Sequence, residues 1–155
     1  MKLSSPAFPD GGKIPPKYVM PGAGGENVSL PLAWSEAPPG TKSFALSMVD
    51  PHPVARNWVH WLVLNLPGAA SSLPEGASEK KLPGAAVELV NSFGLMGYGG
   101  PQPPRGTGDH PYVLTLYALS VDKINLPLKT DLAAFNNALK PHTLATAKIT
   151  GYYGR

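Results

Sequence analysis

Glycine and proline constrain this chain more than any other feature: 17 glycines and 19 prolines fall within 155 residues. Proline removes a backbone donor and clashes with the preceding helical turn, and glycine in a helix interior costs about 1 kcal/mol relative to alanine. A chain broken so often folds through short extended segments joined by turns, so a loop-rich, mainly β protein is expected. The hydrophobic share of 43% supports a buried core, and the charged share of 15% is too low for a disordered chain. At this length a single domain covering residues 1–155 is expected.

The breakers mark off the elements. Ser43 to Asp50 alternates Phe44, Leu46 and Met48 against Ala45, Ser47 and Val49, which is the period of a strand. Trp58 to Asn65 and Tyr112 to Leu119 are apolar on both faces and suit central strands of a sandwich or covered sheet. Pro9 to Pro39 reads as short strands in proline-rich loops, and Val87 to Phe93 as a short strand running into a glycine-rich loop from Gly94 to Gly108. One helix is signalled, with Thr130 as N-cap, Leu132, Phe135 and Leu139 on one face, and Pro141 as its stop. A last strand lies between His142 and Tyr153. Strands and helices do not alternate, which favours a sandwich over a doubly wound sheet.

Net charge is +3, but the lysines and arginines are scattered and their longest run is Lys80-Lys81. That is no nucleic-acid footprint. Without cysteine, disulfides, thiolate zinc sites and cysteine nucleophiles are excluded. Met1 to Gly12 holds no apolar run of signal-peptide length, and no stretch approaches the ~18 apolar residues of a spanning helix, so a cytoplasmic protein without stable membrane insertion is expected. There is no Walker loop, G-x-S-x-G elbow, H-E-x-x-H motif or G-x-G-x-x-G opening a helix, and no cofactor is expected.

What remains is a set of polar residues beside apolar strands. By strand parity His60 shares a face with Trp58, Leu62 and Leu64, where an imidazole without a partner would cost about 1–3 kcal/mol. It is either a core histidine satisfied by a backbone carbonyl or a member of a site. Asp50 alone reads as a strand end capping the turn into Pro51, and His110 alone as a loop-end histidine. Their conjunction with His60 points to a site.

Asp50-Pro51, the run Trp58-Val59-His60-Trp61-Leu62-Val63-Leu64-Asn65-Leu66-Pro67, and the run Gly97-Tyr98-Gly99-Gly100-Pro101-Gln102-Pro103-Pro104-Arg105-Gly106 with His110 and Tyr112 resemble the phosphatidylethanolamine-binding protein family. The similarity is to its bacterial and archaeal branch, often labelled Raf kinase inhibitor-like. It extends to Asn27-Val28-Ser29, Pro31-Leu32-Ala33-Trp34 and Gly151 to Arg155, nearly the whole chain. The resemblance implies an antiparallel β-sandwich with one or two short helices and a small anion pocket at one end. It assigns the pocket walls to Asp50, His60, His110 and Tyr112 with the backbone around Gly99, Gly100, Pro101, Gln102, Pro103 and Pro104. Glycine-loop N–H groups and imidazoles could cradle phosphate or carboxylate, with Asp50 orienting one imidazole. The resemblance further implies a cis peptide between Arg56 and Asn57.

Three residues depart from the family pattern. His52 stands where a second carboxylate is common, Pro111 replaces an arginine between His110 and Tyr112, and Gln102 takes a position often held by a small residue or cysteine. Function therefore divides into several expectations. The leading one is a small-anion or phosphoryl-headgroup binding protein, with phosphate or a phosphorylated or carboxylated small molecule as ligand. A second is an inhibitor of serine proteases or kinases acting by protein contact, and a homodimer is a further expectation of the resemblance. A third is an acid/base enzyme using Asp50, His60 and His110. A fourth is a zinc site built from His52, His60 and His110, although their spacing matches no metal motif.

Overall fold

The computed structural model describes residues 1–155. Its strands are β1 (Lys2–Ser4), β2 (Leu32–Ser35), β3 (Ser43–Asp50), β4 (Trp58–Pro67), β5 (Ser72–Leu73), β6 (Val87–Glu88), β7 (His110–Leu119) and β8 (Thr143–Tyr153), with one α-helix, α1 (Leu132–Leu139), before β8. They form two antiparallel sheets: a five-stranded one ordered β6-β4-β3-β7-β8 and a three-stranded one ordered β1-β2-β5. This is the mainly β, two-sheet architecture anticipated from the sequence.

The doubly apolar strands are explained by what covers each face of the larger sheet. One face packs Phe44, Leu46, Met48, Trp61, Leu114 and Leu116 against Leu32, Trp34 and Leu73 of the smaller sheet. The opposite face packs Ala45, Leu62, Leu64 and Leu119 against Phe135 and Leu139 of α1. A strand buried on both faces cannot alternate apolar and polar residues, so β4 reads as a continuous apolar run.

That run conceals two irregularities. Across the β3–β4 ladder Met48 faces Trp61 while Val49 faces Val59, so His60 is an extra residue with no partner on β3. Nearer the other end Phe44 faces Leu66 and Leu46 faces Val63, leaving Leu64 and Asn65 opposite Ala45, with Asn65 at φ 62°. Each is a β-bulge, which shifts the alternation of side chains by one residue. His60 therefore does not share a face with Leu62 and Leu64. It joins Trp58 and Trp61 on the side that holds the inter-sheet core, against Tyr112.

Two further expectations are corrected. The helix is capped by Asp131, not Thr130: Asp131 is extended, with φ −76° and ψ 169°, and its side chain accepts from Ala134 N at 2.8 Å. The Thr130 hydroxyl instead donates to the Pro127 carbonyl. The segment from Val87 is a strand only over Val87–Glu88, paired with Leu64 and Val63, because beyond it the Asn91 side chain draws the chain into a turn, accepting from Phe93 N and Leu95 N and donating to Gly97 O. No helix is long and apolar enough to cross a membrane.

Candidate functional site

At one end of the large sheet, the end of β3, the starts of β4 and β7, and the segments around Phe93 and Pro103 enclose a cavity of about 240 Å³. Asp50, His60, His110 and Tyr112 line it together with Gln102, Pro103 and Pro104, so the structure brings these sequence-assigned residues to one place. Gly99, Gly100 and Pro101 stand behind the wall.

The deepest polar group is a buried chain of hydrogen bonds. Asp50 Oδ1 accepts from His52 N at 2.9 Å, and Oδ2 lies 2.6 Å from His110 Nδ1. His110 Nε2 lies 2.8 Å from Thr107 Oγ1, whose hydroxyl donates to Pro104 O at 2.7 Å. A hydroxyl has one proton, so Thr107 accepts from Nε2, and a second proton must lie between Nδ1 and Oδ2. Asp50 and His110 are thus neutral as a unit, and neither imidazole nitrogen is free. Asp50 orients His110, which identifies the one imidazole that the sequence alone leaves unnamed.

His60 is arranged differently. Its Nδ1 lies 2.6 Å from the Gly99 carbonyl, which can only accept, so Nδ1 carries the proton and Nε2 keeps a lone pair when the ring is neutral. Burial is the main reason that the ring stays neutral, pushing its pKa down to about 4 against weaker opposition from the Gly99 carbonyl and Asp50. The histidine thus meets both descriptions raised for it: a backbone carbonyl satisfies one nitrogen, and the other belongs to the cavity. Tyr112 packs edge-on to it, with ring centroids 5.0 Å apart, and its hydroxyl has no hydrogen-bond partner. No fully buried side-chain polar atom in the protein lacks a partner, so this hydroxyl is reached from the cavity. Burial, then the charge of Asp50, raises the Tyr112 pKa, which keeps the hydroxyl a donor.

The glycine-rich loop holds the site from behind and does not point its amides inward. Gly99 N donates to His60 O at 2.8 Å, and Gly100 N to Asn27 Oδ1 at 2.7 Å, while Pro101 O accepts from Met20 N. The expected cradle of glycine N–H groups is therefore absent, because those donors are used to fix the loop. Arg155 pins the next segment by donating from Nε to Pro103 O and from its guanidinium to Gly22 O. Gly100 has no room for a side chain: a Cβ there would stand 2.1 Å from the Tyr18 carbonyl oxygen. Gly100→Ala should cost about 1–3 kcal/mol, read as a lower urea midpoint, since backbone rather than a flexible side chain must yield.

The bond between Arg56 and Asn57 is trans, and the chain has no cis peptide. The turn into β4 is made instead by two successive left-handed residues, Arg56 at φ 52° and Asn57 at φ 59°. The three histidines do not converge as metal ligands. His52 stacks on His110 with ring centroids 3.8 Å apart, and its Nδ1 accepts from Val54 N, while the nitrogens of His110 are taken by Asp50 and Thr107.

Residues 4–154 match the phosphatidylethanolamine-binding protein family. The chain belongs to that family. It is 37% identical over 158 residues to the UPF0098 protein YbhB of Escherichia coli, covering 99% of each. The crystal structure of E. coli YbcL, described as a new member of the mammalian PEBP family, superposes with a TM-score of 0.93 at 36% identity, covering 99% of this chain and 98% of that one. A structure from Chlamydia trachomatis, described as a homologue of these proteins, gives 0.85 at 34% identity with 99% and 97% coverage.

In this family member the cavity also has walls that sequence reasoning missed. Trp58 and Phe93 meet edge to face with centroids 5.4 Å apart, Phe93 meets His60 at 5.6 Å, and Val54 and Ala55 complete the apolar side. Trp58 is 39% exposed at the head of its strand, an unusual place for indole unless it covers a mouth. Phe93 carried no signal, because its position depends on the Asn91 turn.

Proposed function

We propose that this protein binds a small oxyacid, a phosphoryl or carboxyl group borne by a small molecule or headgroup, between Tyr112 and His60. The supporting observation is the division of polar atoms. Asp50, His110 and Thr107 satisfy one another, whereas the Tyr112 hydroxyl and His60 Nε2 have no protein partner and border the cavity. At about 240 Å³ the cavity suits a phosphoryl group with a short substituent better than an acyl chain. The substituent would lie on the Trp58 and Phe93 rings.

The same proton placement takes His110 out of an acid/base set, and burial makes His60 a weak base. A general base needs a free lone pair within reach of substrate, and His110 has none. Titration of the protein with inorganic phosphate, followed by NMR, should give saturable shifts at the His60 imidazole. Tyr112→Phe, which deletes only the unpaired hydroxyl, should weaken phosphate binding roughly 10- to 100-fold, the worth of a hydrogen bond to a charged group. Undiminished binding in both Tyr112→Phe and His60→Ala would remove the pocket from consideration as the site.

A further inference from the structure

A site that holds an anion ordinarily surrounds it with donors, and this one does not. Among the buried residues that line the cavity, two atoms are left for a ligand, and Tyr112 Oη donates while His60 Nε2 accepts; Gln102 and Trp58, which also line it, are exposed. The tautomer is fixed by geometry, because turning the ring proton to Nε2 would set the Nδ1 lone pair 2.6 Å from the Gly99 carbonyl oxygen. Protonating both nitrogens is opposed by burial. The groups that face His60 are Asp50 from β3, His110 and Tyr112 from β7, and the backbone of Gly99 and Gly100; Arg155 and Tyr153 act on Tyr112. Asp50 and His110 cancel as a unit, and no lysine takes part, so the cavity offers little to a doubly charged ligand.

We infer that the pocket selects its ligand by a proton: the His60 Nε2 lone pair takes an oxyacid that still carries an acidic hydrogen, a phosphomonoester monoanion or inorganic phosphate, and discriminates against sulfate, which has none. The inference rests on the oxyacid reading above and sharpens it. The ligand P–OH donates to His60, Tyr112 donates to a second ligand oxygen, and the remaining substituent faces the aromatic wall. Sulfate has the same shape but would press an oxygen lone pair against the Nε2 lone pair. Sites built to pair a ligand's donor reject analogues lacking it far more strongly than apolar pockets reject a methylene.

The test needs only the unaltered protein. Calorimetric titrations with methyl phosphate, inorganic phosphate and sulfate, each repeated from pH 6 to pH 8.5 in two buffers of different ionisation enthalpy, report affinity and protons taken up. Phosphate should bind at least about a hundredfold more tightly than sulfate. Above the second ionisation of free methyl phosphate, which removes its only P–OH, its apparent affinity should fall towards tenfold per pH unit, with nearly one proton entering per methyl phosphate bound. A proton could instead settle on His60, so ¹⁵N spectra of the complex complete the measurement, and Nε2 should keep its unprotonated, hydrogen-bonded signature. Sulfate bound as tightly as phosphate, methyl phosphate affinity that does not fall with pH, or an imidazolium pattern at His60 would each overturn the inference while leaving oxyacid binding intact. Absence of phosphate binding at every pH would overturn both.

Discussion

Asp50→Ala should destabilise the protein by about 3–5 kcal/mol, the cost of removing one partner from a buried ion-paired unit. The carboxylate is 3% exposed and accepts from two donors, His110 Nδ1 and His52 N, and no other acceptor is placed to replace it. His110, fully buried, would lose the partner of its Nδ1 while its Nε2 stays committed to Thr107. Asp50→Asn separates charge from shape. The amide oxygen can still accept from His52 N, and the amide nitrogen can donate to an Nδ1 that has given up its proton, so every hydrogen bond survives with one proton fewer. Its cost should therefore be about 1–2 kcal/mol, within the range of a single hydrogen bond. Urea unfolding of both variants measures the difference, and equal losses would mean that the pair is held by charge rather than by hydrogen-bond completeness.

Acid should remove a comparable amount. In the unfolded chain His60 gains its proton near pH 6.5, whereas in the fold it stays neutral until about pH 4, chiefly because it is buried. Through that window the unfolded state binds more protons, so stability falls as pH drops. The contribution is complete above pH 6.5, and its loss amounts to roughly 3 kcal/mol by pH 4, at 1.36 kcal/mol for each unit of difference. Imidazole C–H resonances followed from pH 8 to pH 4 resolve this residue from the three other histidines. A His60 midpoint near 6 would show that the ring is solvated and that its lone pair is not a fixed property of the site.

Much of the fold could be read before the structure, and the exceptions have physical causes. β3 ends where its alternation ends, at Asp50, because the extra residues of the ladder all lie on its partner. The span of β4 was nearly legible but its faces were not, since a strand apolar on both sides gives no polar residue to betray a change of parity. The helix start was misplaced by one residue because threonine and aspartate both make good caps, and only backbone direction chooses between them. Asp50, His60, His110 and Tyr112 were found through the family resemblance, and their convergence needs three separate segments of chain. Thr107 gave no comparable signal, and Asn27 lay within the resemblance without an assigned role. Each acts through a contact across a loop, with the His110 ring and with Gly100 N respectively, and no local pattern encodes such a contact.

The bulge at the head of β4 separates two roles within one strand. Leave His60 out, and Val59 and Trp61 stand opposite Val49 and Met48 in unbroken alternation, with Trp58 and Trp61 still facing the cavity side and Val59 still facing the helix side. The ladder has no use for this histidine. The position is therefore an insertion into a strand already complete without it, so a ligand contact could be acquired without surrendering a residue that the sheet required.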